Sequence, residues 1–261
     1  MGWVAAVDFK RSGAGCAVQP RTNSGKIEKL HNGVVIGAVA NGGEQAALGH
    51  VGARTSVQAA LAMLRQDSDL LSRMLVGKAR PRLEALFAKV TEAVGEAIVL
   101  SAVEERRIAS DFATSLTVFF ACPFGLAAMQ VGRSLLVYRP PDGDYDLVFE
   151  VADTIGGIEC VTGPNAVSCM RVGYMRGPVE FLCVASRAIE RLYITGKNRH
   201  LSEPFFRLLD RYISGALDDG DVHRGIREFL RASDLSRDID EDLTLALCRY
   251  NPTDRLALGL R

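Results

Sequence analysis

The sequence predicts an α+β fold, a four-layer αββα sandwich of two antiparallel β-sheets flanked by helices. Three observations carry this. Helical periodicity is gathered into one early block, residues 50–75 and 80–107, instead of alternating with strands. The texture then changes to short β-rich runs, DFATSLTVFFAC, FGLAAMQVG, SLLVYRP and YDLVFEVA, separated by the hairpin punctuation CPFG, Gly132 and PPDGD. A helical block followed by a meander is the order of an α+β protein and not of βαβ units. Lastly, several runs are apolar throughout, so both of their faces are expected to be buried. Two sheets packed on each other, each with helices outside, achieve this.

The elements follow in order. Strands are expected at 3–9 and 34–40. The second is built from Val35, Ile36, Ala38, Val39 and Ala40 and is broken by Asn41-Gly42-Gly43. From Val51 apolar residues return at helical spacing. Gly77 and Pro81 divide the two long helices, and in the second Leu83, Phe87, Val90, Val94 and Ile98 form one apolar stripe. After the meander, 166–175 and 179–185 read as strands and 187–194, 203–217 and 221–232 as helices. Ser202 is the expected N-cap of the second of these, with Pro204 in its first turn. Asp218-Asp219-Gly220-Asp221 lacks the terminal Glu of a calcium loop and reads as an acidic helix start. LTLALCRY is the closing strand. With no repeat, low-complexity tract or linker, residues 1–261 are expected to form a single domain.

Composition excludes several classes. The chain has 31 basic and 31 acidic residues, so net charge gives no argument for nucleic acid or an anionic membrane as partner. No run approaches the roughly 18 apolar residues of a membrane span. The N-terminus has no basic region of a signal peptide, and Ala6 breaks the myristoylation pattern. Six dispersed cysteines without CxxC read as reduced core residues of a cytoplasmic protein. The four histidines show no metal-ligand spacing, and GxSxG, HExxH and P-loop motifs are missing. Hydrolases with an N-terminal nucleophile share a layered architecture but need Thr, Ser or Cys at the mature N-terminus, where Met1-Gly2 offers none.

Four stretches carry a resemblance. VANGGEQAALGHVGAR, Val131-Gly132-Arg133-Ser134, FLCVASRAIERLY and DEDLTLALCRY stand in this order, each at a predicted strand end. Together they resemble the type 2C metal-dependent protein phosphatases (the PPM family), as a degenerate bacterial-type member. In the resemblance Asn41 falls on a metal-binding Asp, and Gly42 on the Gly whose carbonyl also binds metal. Gly49, Val51 and Arg54 match the following helix. Arg133 stands at the Asp of Val-Gly-Asp-Ser, Arg187 and Ala188 at an Asp-Gly, and Glu241 at the closing Asp, three residues before Thr244. Arg21-Thr22-Asn23-Ser24-Gly25-Lys26 echoes the family's early Arg-x-Asn-Glu-Asp motif, without an acid at either acidic position.

The resemblance implies the PPM fold and a chemistry in which carboxylates hold two Mg²⁺ or Mn²⁺ ions that activate a water. Here one carboxylate remains among the four matched positions, and two positions have reversed sign. Guanidiniums stay charged and repel a dication. The expectation is a pseudophosphatase with no catalytic residues, metal or cofactor. It would act in signalling as a binding or regulatory module for a phosphoprotein or kinase partner. The alternative is an active serine/threonine phosphatase or other phosphohydrolase, with Mg²⁺ or Mn²⁺ held in a rearranged site by Glu44, Asp240, Glu241 and Asp242. Arg133 and Arg187 have three readings: surface groups, partners of Glu241, or an anion site.

Overall fold

A computed structural model describes residues 2–10, 21–77, 79–150, 160–189, 194–195, 200–232 and 242–251. Its strands are β1 (Trp3–Lys10), β2 (Asn23–Lys29), β3 (Val35–Gly42), β4 (Thr114–Cys122), β5 (Gly125–Val131), β6 (Ser134–Arg139), β7 (Asp146–Leu147), β8 (Arg171–Arg176), β9 (Phe181–Ser186), β10 (Ile194–Thr195), β11 (His200–Leu201) and β12 (Leu243–Tyr250). The helices are α1 (Gly49–Gln66), α2 (Ser68–Met74), α3 (Ala79–Glu104), α4 (Glu203–Ser214) and α5 (Asp219–Ala232), with a short 3₁₀ turn at Ala109–Phe112.

Two five-stranded sheets form, ordered β1-β12-β9-β6-β7 and β2-β3-β4-β5-β8, with β10 and β11 as a separate pair. Every strand pairing among the described residues is antiparallel. Strand alternation sorts the apolar residues into three buried layers. Ile36, Ala38, Leu116, Val118 and Phe120 face α1 and α3. Val35, Val39, Phe119, Leu136, Val184 and Cys248 meet between the sheets. Leu135, Val137, Cys183, Leu245 and Leu247 face α4 and α5. The order is α, β, β, α, which explains strands that are apolar on both faces.

The helix at 50–75 is in fact two, broken at Asp67 between α1 and α2. Asp67 and Ser68 compete for backbone hydrogen bonds and so favour an interruption. The strand at 166–175 begins only at Arg171, since residues 161–169 form successive turns closed by bonds such as Cys169 N to Asn165 O (2.9 Å). Among the described residues of YDLVFEVA, Asp146–Leu147 alone is strand. The helix at 187–194 does not reach its end, because Ile194–Thr195 is strand β10. Ser202 precedes α4 but makes no side-chain cap. Its carbonyl accepts from Phe205 N instead, at 3.0 Å. At α5 the acidic start works as a cap: Asp218 Oδ1 accepts from Asp221 N at 2.9 Å. Strand β2 had no sequence signal; NSGKIEK is polar and takes its conformation from full pairing with β3.

Candidate functional site

The four motifs come together because antiparallel pairing brings opposite termini of neighbouring strands to one edge. In the second sheet Asn41 at the end of β3 pairs with Asn23 at the start of β2 and with Ser115 at the start of β4. Leu116 pairs with Val131, which brings Gly132 to the same edge. In the first sheet Ser134, the first residue of β6, pairs with Ser186, the last of β9. Arg133 and Arg187 are therefore the next residues beyond one strand pair. Thr244 N donates to Ser186 Oγ at 3.2 Å, adding the start of β12.

The Asn41 turn is tightly built. A Cβ on Gly42 would lie 2.6 Å from the Gly49 carbonyl carbon, so the strand end and the first turn of α1 can touch only through glycine. Gly43 N donates to Ala113 O (2.7 Å) and Leu48 N to Asp111 O (2.7 Å), fixing the turn against the 3₁₀ segment. Asn41 O accepts from Thr114 Oγ1 at 2.9 Å, and Asn41 Nδ2 donates to Ser115 Oγ at 3.4 Å. Asn41 Oδ1 is buried without a hydrogen-bond partner among the described residues, as is Thr244 Oγ1.

The space between the sheets changes character toward this edge. Its middle is filled by Val35, Val39, Phe119, Leu136 and Val184. The period of two then aims hydroxyls and amides inward. Thr117 and Ser134 hydrogen-bond oxygen to oxygen across the two sheets. Gln130 Nε2 donates to Ser134 O (2.7 Å), Ser134 Oγ (2.9 Å) and Thr117 Oγ1 (3.3 Å), while Arg171 donates to Gln130 Oε1. A second bridge joins the sheets: Asp242 Oδ2 accepts from Thr22 N at 2.8 Å, and Asn23 Nδ2 donates to Asp242 O at 2.8 Å. Sequence reasoning missed Thr117, Gln130 and Ser186. The available signal was a polar residue near the end of each apolar run.

The expected residues are distributed as follows. Asn41, Gly42, Arg133 and Arg187 lie at the shared edge, with Arg187 Nε buried and lacking a hydrogen-bond acceptor among the described residues. Ala188 is buried under the first sheet. Asp242 is at the edge, already engaged by Thr22. Glu44 is exposed in the turn between β3 and α1. Asp240 and Glu241 lie outside the described residues, as does Cys16. Cys122, Cys183 and Cys248 are buried reduced thiols, and burial pushes all three above the ordinary thiol range. No helix among the described residues is long and apolar enough to cross a membrane.

Comparison with solved structures returns the same fold. A bacterial serine phosphatase superposes with a TM-score of 0.62 at 10% identity, covering 95% of this chain and 97% of that one. The catalytic domain of the serine/threonine phosphatase PstP, in complex with two manganese ions, gives 0.59 at 14% identity, covering 95% and 98%. RsbX in complex with magnesium gives 0.53 at 9% identity, covering 95% and 96%. No curated protein matches by sequence.

Whether this chain's residues suit such ions is a question of donors. Mg²⁺ and Mn²⁺ need several anionic oxygens. The described residues here offer the neutral Asn41 amide, the carboxylate of Asp242 and the exposed carboxylate of Glu44 in the adjoining turn, beside two guanidiniums. Among the described residues no group of three His, Cys, Asp or Glu side chains could hold a metal ion. This donor set does not fit a two-cation centre. These residues nevertheless occupy an intact framework. The protein phosphatase 2C model matches residues 19–231. With that match, and with both sheets and both helical layers in place, the chain belongs to the protein phosphatase 2C family.

Proposed function

We propose that this chain is a catalytically inactive phosphatase-like protein, one domain over residues 1–261. It acts in the cytoplasm as a binding or regulatory module for a phosphoprotein or a kinase. The observation that carries this reading is the placement of Arg133 and Arg187, side by side just beyond the Ser134–Ser186 pair. A guanidinium keeps its charge at every usable pH. Two of them at the convergent edge oppose a pair of dications there, and Asn41 restores none of the lost negative charge. Guanidiniums suit phosphoryl oxygens by forked hydrogen bonding, which favours a partner that presents phosphate.

The test uses purified full-length protein with p-nitrophenyl phosphate and a phosphopeptide, in millimolar Mn²⁺ or Mg²⁺. The expected outcome is no metal-dependent phosphate release. The phosphopeptide should bind more tightly than its unphosphorylated form, and Arg187→Glu should weaken that preference. Metal-dependent turnover above the no-enzyme rate would overturn the reading and favour the active alternative.

A further inference from the structure

The second sheet has a corner, at the end opposite Asn41, where three chain reversals meet. The two-residue turn between β4 and β5 carries Phe124, 54% exposed. The turn between α2 and α3 carries Val76, 64% exposed, just before Gly77. Gly177, just past β8, donates its N–H to Phe124 O at 3.0 Å. The reversals are tied to one another. Gly125 pairs with Arg176, Arg176 donates to Gly77 O, and Arg82 of α3 donates to Val76 O. Beneath them the Leu75 side chain lies 3.3 Å from where a Gly125 Cβ would be. Leu70 on α2 is a third exposed apolar side chain of this region. Turns project past the ends of their elements, so Phe124 and Val76 stand on convex tips and not in a groove.

We propose that this corner docks on an anionic lipid bilayer, with Phe124 and Val76 entering the interface and the basic side chains around them meeting the headgroups. Charge selects this occupant. The chain as a whole is neutral, but its charges are unevenly placed. From Leu70 to Arg82 it carries Arg73, Lys78, Arg80 and Arg82 and no acid, and Arg176 stands beside them. Lys78 lies outside the described residues. The acids that flank this stretch are Asp67, Asp69 and Glu84. Asp69 is 3.6 Å from His31 and Glu84 is 3.2 Å from Arg80. With all three acids counted, the corner stays net positive. Asp142 and Asp144 belong to the turn before β7 on the other sheet, where Tyr145 packs on Phe206 of α4. Apolar tips ringed by Lys and Arg are what an anionic interface holds, by apolar burial plus attraction to the headgroups. Separate tips enter a fluid surface at any spacing, whereas a protein partner would need a matching hollow for each. A molecule docked this way keeps the Asn41 edge turned away from the bilayer, since that edge is the opposite end of the same sheet. This inference is independent of whether the chain hydrolyses phosphate.

Co-sedimentation of the full chain with vesicles tests it, using phosphatidylcholine alone or with about 30% phosphatidylserine. The chain should pellet with the mixed vesicles, far less with the neutral ones, and should be released in about 0.5 M NaCl. Arg73→Glu with Lys78→Glu should weaken binding by roughly tenfold or more. Val76→Ser with Phe124→Ser should weaken it by a similar factor, roughly tenfold, through lost apolar burial. Both double variants change exposed or turn positions, and an unchanged melting temperature verifies that they fold. Phe124→Trp supplies a direct readout, because its emission should shift to the blue on the mixed vesicles. A chain that stays in solution with every vesicle would overturn the proposal and assign the corner to a protein partner. Equal binding to neutral vesicles would overturn the role of charge. Binding that leaves the emission of Phe124→Trp unmoved would show that a different surface touches the lipid, and would overturn it as well.

Discussion

Gly52 sits on α1 directly over the backbone of Phe112, and a Cβ there would fall on the Phe112 carbonyl oxygen. That oxygen is main chain and cannot rotate away. Gly52→Ala should therefore destabilise the fold by roughly 1–3 kcal/mol, the range of overpacking in a filled interior. A lower urea midpoint with an unchanged slope would show it; an unchanged midpoint would mean that α1 shifts at no cost. The effect should also reach the edge site, because Phe112 lies between Asp111 and Ala113, whose carbonyls hold the Asn41 turn. The chemistry of that turn rests on single atoms. Asn41 has the shape of an aspartate without the charge, and its Oδ1 is buried without a donor among the described residues. An unpaired buried acceptor costs free energy that an evenly satisfied site would not.

At the scale of elements, α4 is tied to the first sheet by a cluster at the far end of the strands from Asn41. Asp210 on α4 accepts from Arg139 Nε at 2.8 Å, from Tyr145 Oη at 2.9 Å and from Arg249. Glu180 completes the cluster, 2.5 Å from Arg249 and 3.4 Å from Arg139. The Asp210 side chain is 8% exposed and the two arginines 14% each. Asp210→Ala would leave two nearly buried cations with one carboxylate between them. The expected loss is about 3–5 kcal/mol, measured by equilibrium unfolding; a loss under about 1 kcal/mol would show that water already screens the cluster. Tyr145 gives this element a pH signature. Burial first, then the neighbouring Asp210 carboxylate, push its phenol up to about 12 from the ordinary 10.0. The native state then holds its proton where the unfolded chain releases it, so stability should fall as pH rises from about 10 to about 12. Comparing denaturant midpoints of wild type and Tyr145→Phe across that interval isolates the effect. Equal slopes for both proteins would remove Tyr145 as the cause.

For the whole molecule, the edge site draws on both sheets, so no single side chain can make it a metal centre. Asn41 comes from β3, Arg133 from the β5–β6 connection, Arg187 from the residue after β9, and Asp242 from just before β12. A dication needs several carboxylates at once. Asn41→Asp alone should leave the melting temperature unmoved by millimolar Mn²⁺, since a ligand that does not bind the native state cannot stabilise it. Combining Asn41→Asp, Arg133→Asp, Arg187→Asp and Glu241→Asp should produce an upward shift with Mn²⁺. Isothermal titration would confirm binding. A clear Mn²⁺ shift with the single variant would show that the framework retains most of its metal affinity.

Much of this architecture is legible in the chain itself, because it depends on periods of 2 and 3.6 residues and on local punctuation. The apolar stripe of α3, the β4–β5 hairpin at CPFG and the acidic start of α5 are local patterns. The arginines at 133 and 187 are matters of residue identity within recognisable stretches. Pairings between distant segments were decided only in three dimensions. Strand β12 lies between β1 and β9, joining residues such as Ala5 and Cys248. Strand β2 has no strand pattern of its own and is held by β3. The Thr117–Gln130–Ser134 cluster and the Thr22–Asp242 bridge exist because two sheets meet face to face. A hydroxyl at the end of an apolar run has no partner in its own segment, and tertiary packing determines which distant side chain receives its hydrogen bond.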